Sequence, residues 1–232
     1  FIMGYTPAES IDRVVRFARS KGMAKFAALA PVGTYGRRAT NALLRSVESA
    51  GGQVVAMQMY DRSKGGLASA IAKIDSAPYD AVLIADNARN ASGAVTLLRK
   101  DVPNAKVLGT ELWNTETGIA SMTSLHGAWF ASVSDNLYRQ LAAKYRVKYG
   151  TGPYRIASMG YDAVLLVSRI AQDWRVGADF PVARLLDEGG FTGIDGPFRF
   201  RPDGIVERAL EVQQVGAGGL TVVSPSPTKF RE

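Results

Sequence analysis

The sequence predicts an α/β fold built on a parallel sheet with helices on both faces. Short apolar runs, which suit buried strands, alternate with segments whose apolar residues recur every three to four positions, as on one face of a helix. This alternation continues through residue 133 of the 232-residue chain. Strands that alternate with helices at such spacing form parallel sheets, because each helix returns the chain to the starting end of the next strand.

The first helix shows how each element is recognised. Pro7 suits the first turn of a helix, and Gly22 suits its end. Between them, apolar residues at positions 11, 14, 15 and 18 share one face. Similar stripes predict helices that begin near 36, 67 and 91, and another helix over 117–124. The strands predicted in this part are 25–30, 53–60, 81–85, 106–109 and 128–133.

After Ser134 the pattern changes, because two helical segments follow each other without a strand between them. The expected elements are helices at 136–149 and 157–174, strands at 192–200 and 209–215, and a loop-rich end over 216–232. We therefore expect an α/β lobe at 8–133. The rest of the chain, 134–232, is expected to form a second, less complete lobe together with crossovers.

Composition excludes several classes of function. The chain has no cysteine and one histidine, His126, so disulfides, cysteine zinc sites, thiol nucleophiles and sites with several histidines are excluded within the chain. The net charge is +7, but the basic residues are spread out and do not interleave with aromatic residues. This favours a solvated basic surface over nucleic-acid binding. No apolar run approaches the roughly 20 residues that span a bilayer, so no transmembrane segment is expected.

The motifs of common enzyme sites are incomplete. Gly33 and Gly36 lie between a strand and a helix, but they lack the spacing of a dinucleotide-binding loop. Ser158 lacks the first glycine of a nucleophile elbow and lies in a helical pattern. His126 follows a predicted helix, where a histidine commonly caps the carboxyl end. We expect no catalytic residue, no metal and no cofactor.

The best candidate site lies where the parallel strands end. Ligands of open α/β sheets bind beyond the carboxyl ends of the strands, because the loops there converge. In this chain those loops are polar and aromatic, with Tyr35, Tyr60, Asp61, Asp86, Asn87, Glu111, Trp113 and Asn114 among them.

Several segments, taken in order, resemble the type I periplasmic binding protein superfamily in its branched-chain amino-acid (Leu/Ile/Val-binding-like) receptor branch. They are residues 1–10, KFAALAPVGTYGRRA, DAVLIADN, KVLGTELWN, LAAKYRVKYGTGP, ASMGYDAVLLVSRIA and FTGIDGPFRFRPDG. Within the superfamily, residues 4–7, 108–113 and 193–200 are similar to the penicillin-binding-protein activators.

The resemblance implies two lobes joined by hinge crossovers, with a ligand held between them. It implies one complete lobe and part of the second, which in the family begins with roughly a hundred residues that this chain does not contain. Tyr35 and Glu111 match positions that point an aromatic ring and an acid toward the ligand, and Asn87 lies on a third contributing loop. Trp113 departs from the transport pattern and is expected to fill the cleft.

The function implied is a non-enzymatic periplasmic protein that binds a small, amino-acid-like solute through Tyr35, Asn87, Glu111 and Trp113. An ABC permease would be its partner, and a lipid anchor on a precursor fits the same class. Phe1 in place of Met makes a processed or partial product the expectation. The alternative is an envelope protein that has lost its solute and activates a peptidoglycan synthase. A cleft plugged by Trp113 would favour this alternative.

Overall fold

The structure is a computed structural model that describes residues 1–62, 66–74, 77–98, 104–227 and 230. The chain forms two compact units. The first lobe consists of Thr6–Ser132 and Glu211–Pro225, and the second lobe of Phe1–Tyr5, Val133–Leu210 and Ser226–Glu232.

The helices of the described residues are α1 (Pro7–Ser20), α2 (Thr34–Ser49), α3 (Gly66–Ile74), α4 (Ala88–Leu98), α5 (Asn136–Tyr149) and α6 (Ala157–Ala171). The strands are β1 (Lys25–Pro31), β2 (Gln53–Tyr60), β3 (Ala81–Ile84), β4 (Lys106–Leu108), β5 (Trp129–Ser132), β6 (Phe191–Gly193), β7 (Gly196–Phe200), β8 (Val206–Arg208), β9 (Glu211–Gly216) and β10 (Gly219–Ser224). Single 3₁₀ turns lie at Glu111–Thr115, Ile119–Ser121, Thr123–Leu125 and Val182–Leu186. None of these helices is long and apolar enough to cross a membrane.

The first lobe contains a seven-stranded sheet in the order β10-β9-β5-β4-β3-β1-β2. The strands β1 to β5 pair in parallel, as the alternation of strands and helices predicts. Successive residues of the central strands face opposite layers. Leu29 and Ile84 pack in the layer that contains α3 and α4, while the stripe of α1 at positions 11, 14, 15 and 18 is fully buried. The expected α/β architecture is confirmed.

The carboxyl part of the chain differs from the expected pattern. The segment 216–232 was expected to be mainly loop, but Gly219–Ser224 forms β10, which pairs antiparallel with β9. Strand β9 in turn pairs antiparallel with β5, so it lies in the sheet of the first lobe although its residues fall in the 134–232 range. The pairing covers an otherwise open edge of β5, and Val212 and Val215 are fully buried.

Two predicted helices also differ. The segment 117–124 forms two short 3₁₀ turns, because glycine, serine and threonine disfavour a longer α-helix there. The helix predicted over 157–174 ends at Ala171.

The second lobe contains α5, α6 and a three-stranded antiparallel sheet in the order β6-β7-β8. Leu166 and Ile170 of α6 pack with Phe198 and Phe200 of β7. Asp195, fully buried in the turn between β6 and β7, accepts hydrogen bonds from Arg155, from Ser158 and from Tyr5 near the start of the chain. Asp195 therefore connects this turn to Arg155 and Ser158 and to the start of the chain.

The start of α2 packs directly on the end of β1, which fixes the loop that precedes Tyr35. Gly33 has a φ of 127°, in the region that favours glycine, and α2 begins at the next residue. Gly36 is buried against the backbone of Pro31, where an added Cβ would lie 1.8 Å from the carbonyl oxygen. The loop therefore depends on glycine at both positions.

Gly36→Ala should lower the free energy of unfolding by about 1–3 kcal/mol, the usual cost of overpacking a closely packed site. Gly93→Ala on α4 is the matched control, since no heavy atom lies within 4 Å of its added Cβ. Alanine should stabilise that helix by about 1 kcal/mol. Urea unfolding of both variants measures the difference, and a Gly36→Ala protein as stable as the parent would contradict the close contact.

Candidate functional site

The predicted site residues come from three loops at the carboxyl edge of the sheet in the first lobe. Tyr35 lies in the first turn of α2, after β1. Asn87 lies between β3 and α4, and Glu111 begins the 3₁₀ turn that follows β4. Strand β3 lies between β1 and β4 in the sheet, so these loops are neighbours.

Tyr35 and Glu111 are in direct contact. The Tyr35 hydroxyl oxygen lies 3.0 Å from Glu111 Oε1 and 2.9 Å from Thr110 Oγ1. A phenol has one proton and a carboxylate is the stronger acceptor, so Tyr35 donates to Glu111. The tyrosine thus reaches across the end of β3. Burial, with the nearby Glu111 carboxylate, raises the pKa of Tyr35 far above its ordinary value, and the hydroxyl keeps its proton.

The Glu111 carboxylate is only half satisfied. Its Oε1 accepts the bond from Tyr35, but its Oε2 is buried and has no hydrogen-bond partner among the described residues. Burial raises the pKa of Glu111 above its ordinary value, and the Glu111 backbone N–H and the bond from Tyr35 oppose this only in part. A buried carboxylate oxygen without a partner is unfavourable, so this atom is suited to accept a hydrogen bond from a bound molecule.

Asp86, next to Asn87, is the opposite case, because its fully buried carboxylate has many donors. Tyr60 donates from 2.5 Å, Arg62 donates from Nε at 3.0 Å and from Nη2 at 2.8 Å, and the Asn87 backbone N–H donates from 2.8 Å. Asn90 adds a side-chain bond at 3.2 Å. Burial alone would raise the pKa of Asp86, but these donors lower it below its ordinary value. Asp86 therefore stays ionised.

Arg62 was missing from the sequence-based candidates. It lies two residues past β2, and its side chain crosses the end of β1 to reach Asp86 after β3. Its position just beyond a predicted strand could have indicated a role at the site. The sequence does not show with which carboxylate it forms an ion pair. The Arg62 side chain remains 56% exposed at the rim of the site, and its charge is paired with that of Asp86.

Asn87 is exposed and also acts as a helix cap. Its side-chain oxygen accepts the Asn90 backbone N–H at 2.9 Å, in the pattern of an N-cap of α4. The cap occupies the oxygen and leaves the two amide N–H groups as the donors that Asn87 can offer.

Trp113 lies in the hydrophobic core of the first lobe and has no exposed surface. Its indole packs against Phe130 with ring centroids 5.7 Å apart, and its Nε1–H donates to the Asp86 carbonyl oxygen at 2.9 Å. An added Cβ on Gly109 would lie 2.4 Å from the indole ring, so that glycine makes room for it. The expectation that Trp113 faces a ligand or fills a cleft is corrected: it supports the loop from inside.

Other groups in the described residues do not form a comparable site. No cluster of three or more His, Asp or Glu among them could hold a metal ion. His126 Nε2 lies 2.8 Å from the Ala120 carbonyl oxygen, at the end of a 3₁₀ turn. The second lobe has a cavity of about 560 Å³ beside α6, but its acid, Asp162, already accepts the Ile194 and Asp195 backbone N–H groups.

A model of the periplasmic binding protein family matches residues 1–219. The chain therefore belongs to the periplasmic binding protein family. A search of the curated proteins finds no match.

Solved structures share the fold at low sequence identity. A putative branched-chain amino acid ABC transporter from Rhodospirillum rubrum has a TM-score of 0.84 at 20% identity, covering 96% of this chain and 67% of that one. A solute binding protein of an ABC transporter from R. palustris, solved with benzoate, has a TM-score of 0.73 at 16% identity, covering 99% and 66%. An ABC transporter substrate-binding protein from Desulfitobacterium hafniense, solved with Leu, has a TM-score of 0.69 at 17% identity, covering 94% and 65%. The chain thus spans about two thirds of the length of these structures.

Asp86→Asn should lower the free energy of unfolding by at least about 2 kcal/mol, because hydrogen bonds to charged groups contribute about 1.5–3 kcal/mol each. The pKa of Asp86 is lowered on folding, so its contribution is present above the ordinary value of 3.8 and is lost as pH falls through the folded value. Asp12→Asn, which breaks an exposed ion pair with Arg16, is the control and should cost under about 1 kcal/mol. Equal losses in the two variants at pH 7 would contradict the role of Asp86.

Glu111→Gln should stabilise the ligand-free chain at neutral pH by about 1 kcal/mol, because it removes a poorly satisfied buried charge. The pKa of Glu111 is raised on folding, so the parent loses stability as pH rises from the ordinary value of 4.5 through the folded value. The gain in the variant should therefore vanish below about pH 4.5. Thermal unfolding from pH 4 to pH 8 tests this, with Glu116→Gln as control. A loss of stability in Glu111→Gln at pH 7 would refute it.

Proposed function

We propose that the chain is the ligand-binding part of a non-enzymatic, extracytoplasmic solute-binding protein that delivers its ligand to an ABC permease. Membership of the periplasmic binding protein family supports this class of protein. The proposed binding groups lie in the first lobe, at the carboxyl edge of its sheet. The ligand is a small, amino-acid-like solute whose amino group pairs with Glu111. One observation carries this assignment: the buried Glu111 Oε2 without a hydrogen-bond partner among the described residues.

Tyr35 positions the carboxylate for this role. Its bond to Oε1 fixes the plane of the Glu111 carboxylate and leaves Oε2 as the free acceptor. An ammonium group would add both charge and a donor, and it would favour the ionised form of an acid whose pKa burial raises. An anionic ligand without an N–H group would be repelled by the Glu111 carboxylate and could not donate a hydrogen bond to it.

Asn87 is the third group of the proposed site. Its amide N–H groups, left over from the helix cap, suit an acceptor such as a ligand carboxylate. The Arg62 side chain, 56% exposed and ion-paired with Asp86, brings further N–H groups to the same edge. An acid for an amino group, together with these donors for a carboxylate, matches the two charges of an amino acid.

The activator alternative depends on Trp113 as a plug in the cleft. Trp113 lies in the core of the first lobe, so it gives that alternative no support. The function we retain is solute binding.

A thermal-shift panel of amino acids, with benzoate as an anion without an amine, tests the proposal. A ligand at about 100 times its dissociation constant adds roughly 2.7 kcal/mol, a shift of roughly 5–10 °C for a chain of this size. We expect an amino acid to shift the parent, and the shift to disappear in Glu111→Ala. Glu116→Ala, a nearby acid outside the proposed contacts, should keep it. An amino acid that stabilises the parent and Glu111→Ala equally would overturn the assignment.

A further inference from the structure

A second buried acceptor lies on the same turn as Glu111. Asn114 Oδ1 is buried and, like Glu111 Oε2, has no hydrogen-bond partner among the described residues. Both residues belong to the 3₁₀ turn Glu111–Thr115. Few buried side-chain oxygens lack a partner in folded proteins. Gln213 Oε1 is another among the described residues, but Glu111 and Asn114 lie together on one five-residue turn, which calls for a common explanation.

The geometry of the turn places the two side chains on one face. A 3₁₀ helix has 3.0 residues per turn, so residues three apart eclipse each other. Glu111 and Asn114 therefore project from the same side, whereas Trp113 projects into the core. Each of the two side chains has one buried oxygen without a hydrogen-bond partner among the described residues, a carboxylate oxygen on Glu111 and an amide oxygen on Asn114.

Resting on the proposed function, we propose that Asn114 is a further ligand-binding residue that, together with Glu111, recognises a primary ammonium group. Two acceptors without a donor require a ligand with at least two N–H bonds. A primary ammonium has three, so it can bond to both oxygens and neutralise the Glu111 charge. The amide oxygen adds a directed contact without a second negative charge.

The pairing makes the site selective among charged molecules. A quaternary ammonium has the same charge but no N–H, so it would leave both buried oxygens without partners. Sites that hydrogen-bond a ligand reject analogues without the donor far more strongly than apolar pockets reject extra carbon. A benzoate-like anion would have neither the charge nor the donors. We therefore assign the site to primary amines, and this separates the chain from the R. palustris protein solved with benzoate.

Binding measurements with leucine and the other amino acids, and with the N,N,N-trimethyl analogue of each amino acid that binds, test the inference. Asn114→Ala should weaken amino-acid binding at least about tenfold, the effect of losing one charge-assisted hydrogen bond. Asn41→Ala, an exposed asparagine on α2, should leave binding unchanged. The trimethyl analogue should bind the parent at least about a hundredfold more weakly than its parent amino acid.

A stability measurement tests the same atom without a ligand. Asn114→Leu replaces a buried acceptor that lacks a partner by an apolar group of similar size, so the melting temperature of the ligand-free protein should rise by about 2–4 °C. If the Asn114 amide were satisfied internally, for example by donating to Glu111, the same change would lower it. A fall in melting temperature therefore overturns the inference.

The outcomes separate the two proposals. If Glu111→Ala abolishes amino-acid binding but Asn114→Ala does not weaken it, the proposed function stands and the role of Asn114 is refuted. Equal affinity for an amino acid and its trimethyl analogue refutes recognition of N–H groups and leaves charge pairing by Glu111 in place. If no amine binds the parent protein, both proposals are wrong.

Discussion

The candidate site depends on one buried charge, the carboxylate of Asp86 at the end of β3. Its side chain accepts hydrogen bonds from Tyr60 at the end of β2, from Arg62 after β2 and from the Asn87 backbone N–H before α4. Its carbonyl oxygen accepts the indole N–H of Trp113. One residue thus joins three loops at the carboxyl edge of the sheet. The arrangement tolerates a buried charge because Tyr60, Arg62 and the start of the β3–α4 segment bring donors to the carboxylate, and the lowered pKa of Asp86 reflects that.

The two acids at this edge of the sheet, Asp86 and Glu111, differ in how many hydrogen-bond donors they receive. Asp86 is saturated with donors and holds the loops, whereas Glu111 receives one side-chain donor, Tyr35, and keeps a buried oxygen without a partner in the described residues. Their pKa values accordingly move in opposite directions, down for Asp86 and up for Glu111. Such a contrast between neighbouring carboxylates distinguishes a structural charge from a binding group more clearly than exposure does.

Local pattern predicted the elements and the edge where the site lies, but not the contacts made over long distances along the chain. The parallel sheet follows from apolar runs such as 81–85, and parallel pairing brings Tyr35 and Glu111 to neighbouring loops. The antiparallel addition of β9 to β5 joins segments about eighty residues apart, and no local periodicity encodes it. Trp113 was misplaced for a related reason, since a large aromatic residue in a polar loop is compatible with either the surface or the core. Only the small Gly109 beside it, which admits the indole, distinguishes the two.

We propose a binding role for Glu111 and Asn114 because their unpaired buried oxygens lower the free energy of unfolding of the ligand-free protein. Folding buries both oxygens without pairing them, although water would satisfy them in the unfolded chain, and each such group is worth about 1–3 kcal/mol. The surrounding framework tolerates this because Trp113, with no exposed surface, holds the turn rigidly against the core. In the proposed complex, a ligand that supplies N–H donors would recover that free energy on binding, and it would meet acceptors already fixed in place, so little further ordering would be needed. The residues that lower the stability of the ligand-free protein would therefore raise its affinity for the ligand.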